Sequence, residues 1–181
     1  MQEKDVFDAG SALELIAHRG IDNIKVGVTD LDGVMRGKSM SLKKFESALT
    51  KGFGFCDVIF GWDSADELYG QDSFSGWDSG FADAWASIDA SSCRALPTEA
   101  PRSVMFLADF SGDRAAAVCP RSLLKRVLCK LQEHGYTANA AAEFEFFLFD
   151  ETRDSVRQKG YRQLQPITPD NFGYSILRSS T

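Results

Sequence analysis

The sequence predicts an α+β fold, because stretches with strand and helix periodicity alternate along its 181 residues. Two stretches, 24–30 and 103–110, are rich in β-branched and aromatic residues and read as strands. A third, 119–135, places leucine and valine three and four positions apart and ends at a glycine, which predicts an amphipathic helix. With 44% hydrophobic residues, the chain can bury the core of one or two small domains.

The N-terminal elements follow from local signals. A capping box from Ser11 to Glu14 predicts a helix over 11–19. The strand 24–30 and the segment 34–40 flank an Asp-Gly turn, so together they predict a β-hairpin. A helix over 41–51 is expected next, and its inward side chains are Leu42, Phe45 and Leu49.

The middle of the chain is harder to assign from its pattern. Residues 55–61 resemble a strand, and residues 61–102, rich in Gly, Ser, Asp and Trp, predict long loops. Pro120 opens the helix that ends at Gly135. The prediction is therefore a set of strands and helices joined through one long, acidic, irregular region.

Charge and cysteine content narrow the class of protein. The net charge of −6 argues against a nucleic-acid or anionic-membrane partner, since both require a basic surface. The four cysteines form no Cys-x-x-Cys pair, which predicts reduced thiols. No signal peptide or membrane-spanning run is visible, so a soluble cytoplasmic protein is expected. Residues 57–89 carry eight acidic and no basic side chains, which indicates either a solvated loop or a site that attracts cations or amines.

Two short motifs suggest phosphate chemistry. "VTDLDGVM" resembles the Asp-x-Asp motif of haloacid-dehalogenase-type phosphatases, in which Asp30 would be the nucleophile. That chemistry also needs a lysine and a distal acidic pair on magnesium, and no such acidic pair follows in a later loop. Gly37-Lys38-Ser39 ends like a P-loop, but Asp32 stands where the opening glycine is needed and would repel a phosphate. The hairpin interpretation accounts for both motifs.

The stretch "AAEFEFFLFD", residues 141–150, is the most informative. In a strand, which rises about 3.4 Å per residue, Glu143 and Glu145 share one face with their backbones on the order of 7 Å apart. Phe144, Phe146 and Leu148 then point to a packed face. The two carboxylates either face water, or pair with distant basic residues, or bind Mg²⁺ or Mn²⁺, which prefer carboxylate oxygens.

Three stretches together resemble the glutamine synthetase family. "AAEFEFFLFD" resembles the Glu-x-Glu strand of that family, "VTDLDGVMRGK" its N-terminal hairpin, and "PRSLLKRVL" the helix before the metal-binding strand. The resemblance implies a β-grasp-like N-terminal domain over residues 1–112, followed over residues 113–181 by the beginning of a glutamine-synthetase-type α/β catalytic domain.

The resemblance also implies an activity. It implies an ATP-dependent ligase in which the γ-carboxylate of glutamate is phosphorylated and an amine then displaces the phosphate. Carried over to this sequence, Glu143 and Glu145 are ligands for Mg²⁺ or Mn²⁺, and Asp63 and Asp83 help to bind and deprotonate the amine. The substrates are glutamate, ATP and ammonia or another amine, and sites shared between subunits imply a ring-like homo-oligomer.

Two departures refine that expectation. "GWDSAD" stands where family members that use ammonia have Asp-Gly-Ser-Ser, which favours a γ-glutamyl-amine synthetase that uses a larger amine. Family members also continue past position 181, so the chain is expected to be the N-terminal piece of a longer protein and inactive alone. The alternative is a non-catalytic member that keeps the fold for assembly, and the two glutamates favour the enzyme.

Overall fold

A computed structural model describes residues 1–70, 74–96, 99 and 102–168, which fall into two compact units, Met1–Ala138 and Asn139–Thr181. The α-helices are α1 (Ala9–Arg19), α2 (Leu42–Lys51), α3 (Asp113–Val118), α4 (Pro120–Glu133) and α5 (Arg153–Gln158). The strands are β1 (Asn23–Thr29), β2 (Met35–Met40), β3 (Phe53–Cys56), β4 (Asp83–Ala95) and β5 (Ser103–Phe110). Within these described stretches, no helix has the length and apolarity needed to cross a bilayer.

The five strands of the first unit form one mixed sheet in the order β2-β1-β5-β4-β3. β1 runs parallel to β5, and every other neighbouring pair is antiparallel. The predicted hairpin is confirmed as β1 and β2, whose register pairs Ile24 with Met40 and Val28 with Arg36. The structure is therefore mixed α+β, as the periodicities predict, and the β-grasp assignment stays a prediction.

The sheet is strongly curled. Lys38 of β2 donates a hydrogen bond from Nζ to the Gly54 carbonyl of β3 at 2.9 Å, although these are the two edge strands. In a flat sheet, edges four strand spacings apart would be separated by about 19 Å, far beyond the reach of a lysine. The curl therefore brings the two edges close together, and the ammonium of Lys38 also lies 5.1 Å from the centre of the Phe55 ring.

The core fills the face of the sheet that α1 and α2 cover. Leu15, Phe45 and Phe106 are fully buried there, and the last two pack with ring centroids 4.8 Å apart. Leu42, predicted to face inward from α2, is 44% exposed. Ala48 is buried instead, because it lies three residues after Phe45 and so on the same side of the helix.

Helix α4 is held against the opposite face of the sheet by ion pairs. Arg121 contacts Asp89 of β4, and its Nε lies 3.1 Å from Asp109 Oδ1 of β5. Lys125 Nζ lies 2.5 Å from Asp109 and 3.4 Å from Asp89. The apolar side chains of this predicted helix are largely exposed, and Leu124 is 57% accessible.

Three boundaries differ from the sequence prediction. Helix α1 begins at Ala9, one half-turn before the predicted start, because Asp8 rather than Ser11 is the N-cap and accepts from the Ser11 amide at 2.8 Å. β3 ends at Cys56, and the residues predicted to continue it form a 3₁₀ turn over Asp57–Phe60. Residues 83–95 of the predicted loop region form β4, the longest strand described.

The second unit carries the Glu-x-Glu segment. The strand predicted over 141–150 is wrong for this structure, since residues 136–148 form no helix or strand and Phe149 makes one isolated bridge to Pro166. A strand is stable only when a neighbouring strand completes its hydrogen-bond ladder, and the described part of this unit offers none to residues 141–147, since only the Leu148 carbonyl accepts a backbone bond, from the Ile167 amide at 3.3 Å. Phe144 and Phe146, predicted to face a packed side, are 83% and 73% exposed.

Candidate functional site

The buried carboxylate of Asp30 organises the turn of the β1–β2 hairpin. Its Oδ1 accepts hydrogen bonds from the amides of Val34 at 2.8 Å and Asp32 at 3.1 Å. Its Oδ2 accepts from Arg36 Nε at 2.8 Å, and the side chain is 1% exposed. A phosphatase nucleophile needs an accessible oxygen, so the geometry does not support Asp30 in that role. It supports the hairpin interpretation instead.

The Gly37-Lys38-Ser39 motif lies within β2 and is not part of a loop. Gly37 is needed there because a Cβ would come within 2.5 Å of the Val26 carbonyl on the neighbouring strand. The backbone amides of Gly37-Lys38-Ser39 therefore belong to a sheet rather than to a phosphate-binding nest. This agrees with the prediction that the motif is not a P-loop.

An acidic loop, defined here as residues 61–69, follows the 3₁₀ turn after β3. It closes on itself like a small hairpin, because Trp62 bridges Leu68 and the Tyr69 amide donates to the Gly61 carbonyl at 2.8 Å. Asp63 lies inside the loop, half-buried, and its Oδ1 accepts from two loop amides at 2.8 and 3.0 Å. Its Oδ2 makes no hydrogen bond within the described residues. One oxygen of Asp63 thus fixes the carboxylate while the other can receive a ligand.

Arg36 joins the acidic loop to the hairpin. Its Nη1 lies 2.6 Å from Asp66 Oδ1, and its guanidinium carbon lies 5.2 Å from the centre of the Trp62 ring. The hydrogen bond to Asp30 raises the pKa of the Arg36 guanidinium above its ordinary value, with burial opposing this effect and the bond to Asp66 adding to it. Arg36 is therefore a permanent cation between two carboxylates and an aromatic face.

Acidic side chains outnumber basic ones in and around the acidic loop, where Arg36 is accompanied by Asp30, Asp32, Asp63, Asp66 and Glu67. Burial raises the pKa of the Tyr69 hydroxyl, and the charges of Asp32, Asp63 and Asp30 raise it further. Three carboxylates that each oppose ionisation of one phenol must all lie close to it. Such a site favours a cation, for example the protonated form of an amine.

A cavity of about 430 Å³ adjoins the acidic loop. Its lining includes Leu68 and Tyr69 from the loop, together with Phe74 and Trp77 from the next described segment. Arg114 also lines the cavity, and its guanidinium stacks 4.2 Å from the centre of the Phe74 ring. The lining is mainly aromatic and apolar, which suits the body of an organic molecule better than a small inorganic ion.

Asp57 anchors the segment that carries Phe74. Its side chain is buried, accepts a hydrogen bond from Ser75 Oγ and lies 3.4 Å from Arg114 Nη1. Gly61 passes so close to Ser75 that a Cβ would fall 1.9 Å from its carbonyl oxygen. The acidic loop and this segment are therefore packed against each other at a position that only glycine permits.

Asp83, the second predicted amine-site residue, lies elsewhere in the same unit. It is the first residue of β4, is exposed and pairs with Cys56 of β3. It borders a cleft of about 260 Å³, which shares Phe74 and Arg114 with the cavity beside the acidic loop. Among the described residues no hydrogen bond links Asp83 with Asp63, so the structure does not bring the two carboxylates into direct interaction.

Glu143 and Glu145 are exposed, and neither makes a hydrogen bond or ion pair within the described part of the chain. Their oxygens are of the kind that Mg²⁺ and Mn²⁺ prefer. No group of three or more His, Cys, Asp or Glu side chains suited to a metal ion occurs in the ranges that the structure covers. The two glutamates therefore fit as part of a ligand set but do not complete one.

Among the described residues of the second unit, Glu151 is a carboxylate held by several hydrogen bonds. It accepts from Lys159 Nζ and Ser155 Oγ, both at 2.5 Å, and from the Gln165 amide at 2.7 Å. The hydrogen bonds from Lys159, Ser155 and Gln165, in that order, lower its pKa to about 2. The Glu151 carboxylate is therefore engaged in holding the segment that follows Phe149. Glu143 and Glu145, which precede it in the described part of this unit, make no hydrogen bond or ion pair.

The contacts of Arg36 were absent from the sequence prediction, although one signal pointed to them. Arg36, Lys38 and Met40 alternate along β2 and pair with apolar residues of β1, so they share the core face. An arginine at a core-facing position needs a carboxylate partner. The hairpin pattern could have revealed Asp30 as that partner, but Asp66 and Trp62 come from a loop whose position depends on the tertiary fold.

Comparison with known proteins gives a consistent set of matches. The model of the glutamine synthetase catalytic domain matches residues 117–177. A type-1 glutamine synthetase of Dictyostelium discoideum is 41% identical over 159 residues, which is 87% of this chain and 30% of that protein. A glutamate–isopropylamine ligase of a Pseudomonas species is 33% identical over 100% of this chain and 40% of the relative.

A γ-glutamylethanolamide synthetase of Streptomyces coelicolor is 30% identical over 90% of this chain and 36% of that protein. Among solved structures, a Plasmodium falciparum glutamine synthetase aligns with a TM-score of 0.54 at 16% identity, over 75% of this chain and 24% of that one. The complex of GmaS with ADP aligns with a TM-score of 0.52 at 20% identity, over 84% and 36%. These structures establish likeness of fold, and the chain spans less than half the length of the curated relatives it matches.

Proposed function

Because this chain belongs to the glutamine synthetase family, we propose that it is part of an ATP-dependent ligase that joins ammonia or an amine to the γ-carboxylate of glutamate. The reaction would proceed through γ-glutamyl phosphate, from which the amine displaces phosphate. The observation that carries the proposal is the acidic loop, where Asp63 keeps one carboxylate oxygen free among other acidic side chains.

Asp63 supplies the amine site in this proposal. An amine reaches the site protonated and must lose a proton before it can attack an acyl phosphate. The free Oδ2 of Asp63 can hold the ammonium and accept that proton, while Oδ1 is fixed by backbone amides. We propose Asp83 as the second such carboxylate, at a neighbouring cleft that shares Phe74 and Arg114 with the cavity beside the acidic loop.

The amine is proposed to be larger than ammonia. The aromatic cavity of about 430 Å³ beside the loop can take an organic substituent, whereas ammonia needs no such space. One relative is named a glutamate–isopropylamine ligase and another a γ-glutamylethanolamide synthetase. Both names refer to products of small organic amines. The "GWDSAD" sequence of the loop, which departs from the Asp-Gly-Ser-Ser of members that use ammonia, supports the same assignment.

Glu143 and Glu145 are proposed ligands for Mg²⁺ or Mn²⁺. A divalent cation bound there would offset negative charge on the phosphoryl group that passes from ATP to glutamate. The two carboxylates would orient the ion, and other ligands would come from parts of the protein beyond this chain. Their free, exposed oxygens support this role and favour an enzyme over a non-catalytic member of the family.

The proposed whole protein is longer than 181 residues. Residues 1–112 would form the N-terminal domain and residues 113–181 the beginning of the catalytic domain, which is supported by a catalytic-domain match that starts at residue 117. We propose a cytoplasmic, ring-like homo-oligomer whose sites lie between subunits. On this proposal the 181-residue chain alone is inactive.

The test is phosphate release by the full-length protein. ATP and Mg²⁺ would be supplied with and without glutamate, across ammonia and a panel of amines, for the wild type and Glu145→Ala. Glu133→Ala is the matched control, because Glu133 is also an exposed glutamate and belongs to α4. We expect release that requires both glutamate and an amine and falls at least a hundredfold in Glu145→Ala only. Phosphate release that does not depend on glutamate would contradict the proposal. So would a folded oligomer that neither binds metal nor releases phosphate. Either result would favour a structural role.

A further inference from the structure

Arg36 occupies a position where a charge is costly. It lies on the core-facing side of β2, paired with Val28, and its side chain is only 18% exposed. The next residue on that side, Lys38, reaches across to the β3 edge. A guanidinium held this far from water is stable only with hydrogen-bonded carboxylate partners.

Its two carboxylate partners differ in how firmly they are held. Asp30 is buried and fixed by the amides of its own turn. Asp66 is 55% exposed and belongs to the acidic loop, where its backbone has a positive φ of 66°. Asp30 is therefore the fixed end of the bridge, and Asp66 attaches the loop to it.

The bridge holds the loop on both sides of Asp63. Trp62, immediately before Asp63, stacks on the guanidinium of Arg36. Asp66, three residues after, is paired with the same guanidinium, and its amide donates to the Asp63 carbonyl at 3.1 Å. The Arg36 side chain therefore holds residues on both sides of Asp63, whose carboxylate this turn presents.

We propose that Arg36 is a positioning residue for the amine site, clasping the acidic loop through Trp62 and Asp66 so that Asp63 Oδ2 is held toward the incoming amine. The inference rests on the proposed ligase function and on Asp63 as its amine ligand. Arg36 Nη2 is buried without a hydrogen-bond partner in the described ranges, so the clasp engages only two of the three guanidinium nitrogens.

The clasp predicts a selective kinetic effect. The loop touches only the amine in this proposal, so loosening it should weaken amine use while leaving the glutamate and ATP sites intact. Misplacement of a reacting group by about 1 Å can cost on the order of a hundredfold in rate. We expect the KM for the amine to rise about tenfold or more when the clasp is opened.

Asp66→Asn opens the clasp with the least risk to folding. Asparagine tolerates a positive φ, keeps the shape of the side chain and removes only the charge that pairs with Arg36. Glu67→Gln is the matched control, because the exposed Glu67 side chain makes no hydrogen bond or ion pair within the described residues. The change in the amine KM of Glu67→Gln measures the effect of removing one negative charge from the loop. The change in the amine KM of Asp66→Asn must be larger than this.

The experiment measures amine, glutamate and ATP KM values for the full-length wild type, Asp66→Asn, Glu67→Gln, Arg36→Lys and Arg36→Met. We expect the amine KM to rise about tenfold in Asp66→Asn, the other two KM values to stay within twofold, and Arg36→Lys to retain more amine affinity than Arg36→Met. Hydrogen exchange across residues 63–67 should be faster in Asp66→Asn than in Glu67→Gln.

Two outcomes would overturn the inference separately. An active wild type whose Asp66→Asn variant has the amine KM of Glu67→Gln would refute the clasp and leave the ligase standing. A wild type without glutamate-dependent phosphate release would refute the ligase, and the inference would be lost with it.

Discussion

The acidic loop and the Glu-x-Glu segment have similar compositions but different structures. Both combine carboxylates with aromatic residues, yet residues 61–69 are held by the ion pair of Arg36 with Asp66 and by backbone hydrogen bonds, whereas residues 141–148 make no strand and expose their rings. A carboxylate becomes ordered when a cation or a set of amides is in reach, as Asp30 shows. An alternating aromatic pattern does not become a strand without a partner.

The largest stability difference should come from matched phenylalanines in the two regions. Phe106→Ala should destabilise the 181-residue chain by about 3 to 5 kcal/mol, because Phe106 is fully buried against Phe45. Phe146→Ala should change the free energy of unfolding by less than about 0.5 kcal/mol, since its ring is 73% exposed. Urea unfolding followed by circular dichroism measures both, and equal effects would contradict the description of residues 141–148 as unpacked.

A smaller but still large effect is expected at the base of the clasp. Asp30→Asn should cost about 3 kcal/mol, because it leaves the mostly buried Arg36 with only the exposed Asp66 as a charged partner. Asp32→Asn, at an exposed position of the same turn, should lie within about 0.5 kcal/mol of the wild type. Thermal melting of the two variants tests this, and a melting temperature for Asp30→Asn equal to that of Asp32→Asn would rule out a stabilising role for the pair.

The smallest effect concerns pH. Burial works against the ionised form of Asp89, but hydrogen bonds from Ser91 and Arg121 and the charge of Lys125 outweigh it and lower the pKa to about 2. Because the folded pKa is depressed, the stabilisation is fully present above the unfolded value near 3.8 and is lost as the pH falls toward 2. We expect a loss of about 1 to 2 kcal/mol over that range.

Asp89→Asn is the variant that isolates this contribution. It should be less stable than the wild type at neutral pH and should lose less stability between pH 4 and pH 2. Urea unfolding at a series of pH values measures the slope, and a variant whose slope equals that of the wild type would show that Asp89 does not contribute.

Much of the first unit could be predicted from local sequence. The Asp-Gly turn and the flanking alternation predict the β1–β2 hairpin, and Pro120 with the periodic leucines predicts α4. β4 was missed because its residues, rich in Ala, Ser and Asp, are poor strand formers. It is a strand because β3 and β5 pair with its two edges, a tertiary effect that outweighs propensity.

The candidate site also has parts that local sequence predicts and parts that only the tertiary fold decides. Asp63 was predicted from its place in an acidic segment together with a family resemblance. Glu143 and Glu145 were predicted as metal ligands from the resemblance, because their spacing alone left three roles open. The clasp could not be predicted, because Asp66 and Arg36 are distant in sequence and meet only through the curl of the sheet. The strand over 141–150 was predicted from its period of two, which describes how side chains would be arranged but not whether a partner strand is present.

The most direct test of the central claim is mass spectrometry of the product. Full-length protein would be incubated with glutamate, ATP, Mg²⁺ and a mixture of ammonia and small organic amines. We predict a product whose mass equals glutamate plus one organic amine minus water, formed by the wild type and lost in Glu145→Ala. A folded protein that releases phosphate without forming any such amide, or that forms none under any condition, would contradict the account.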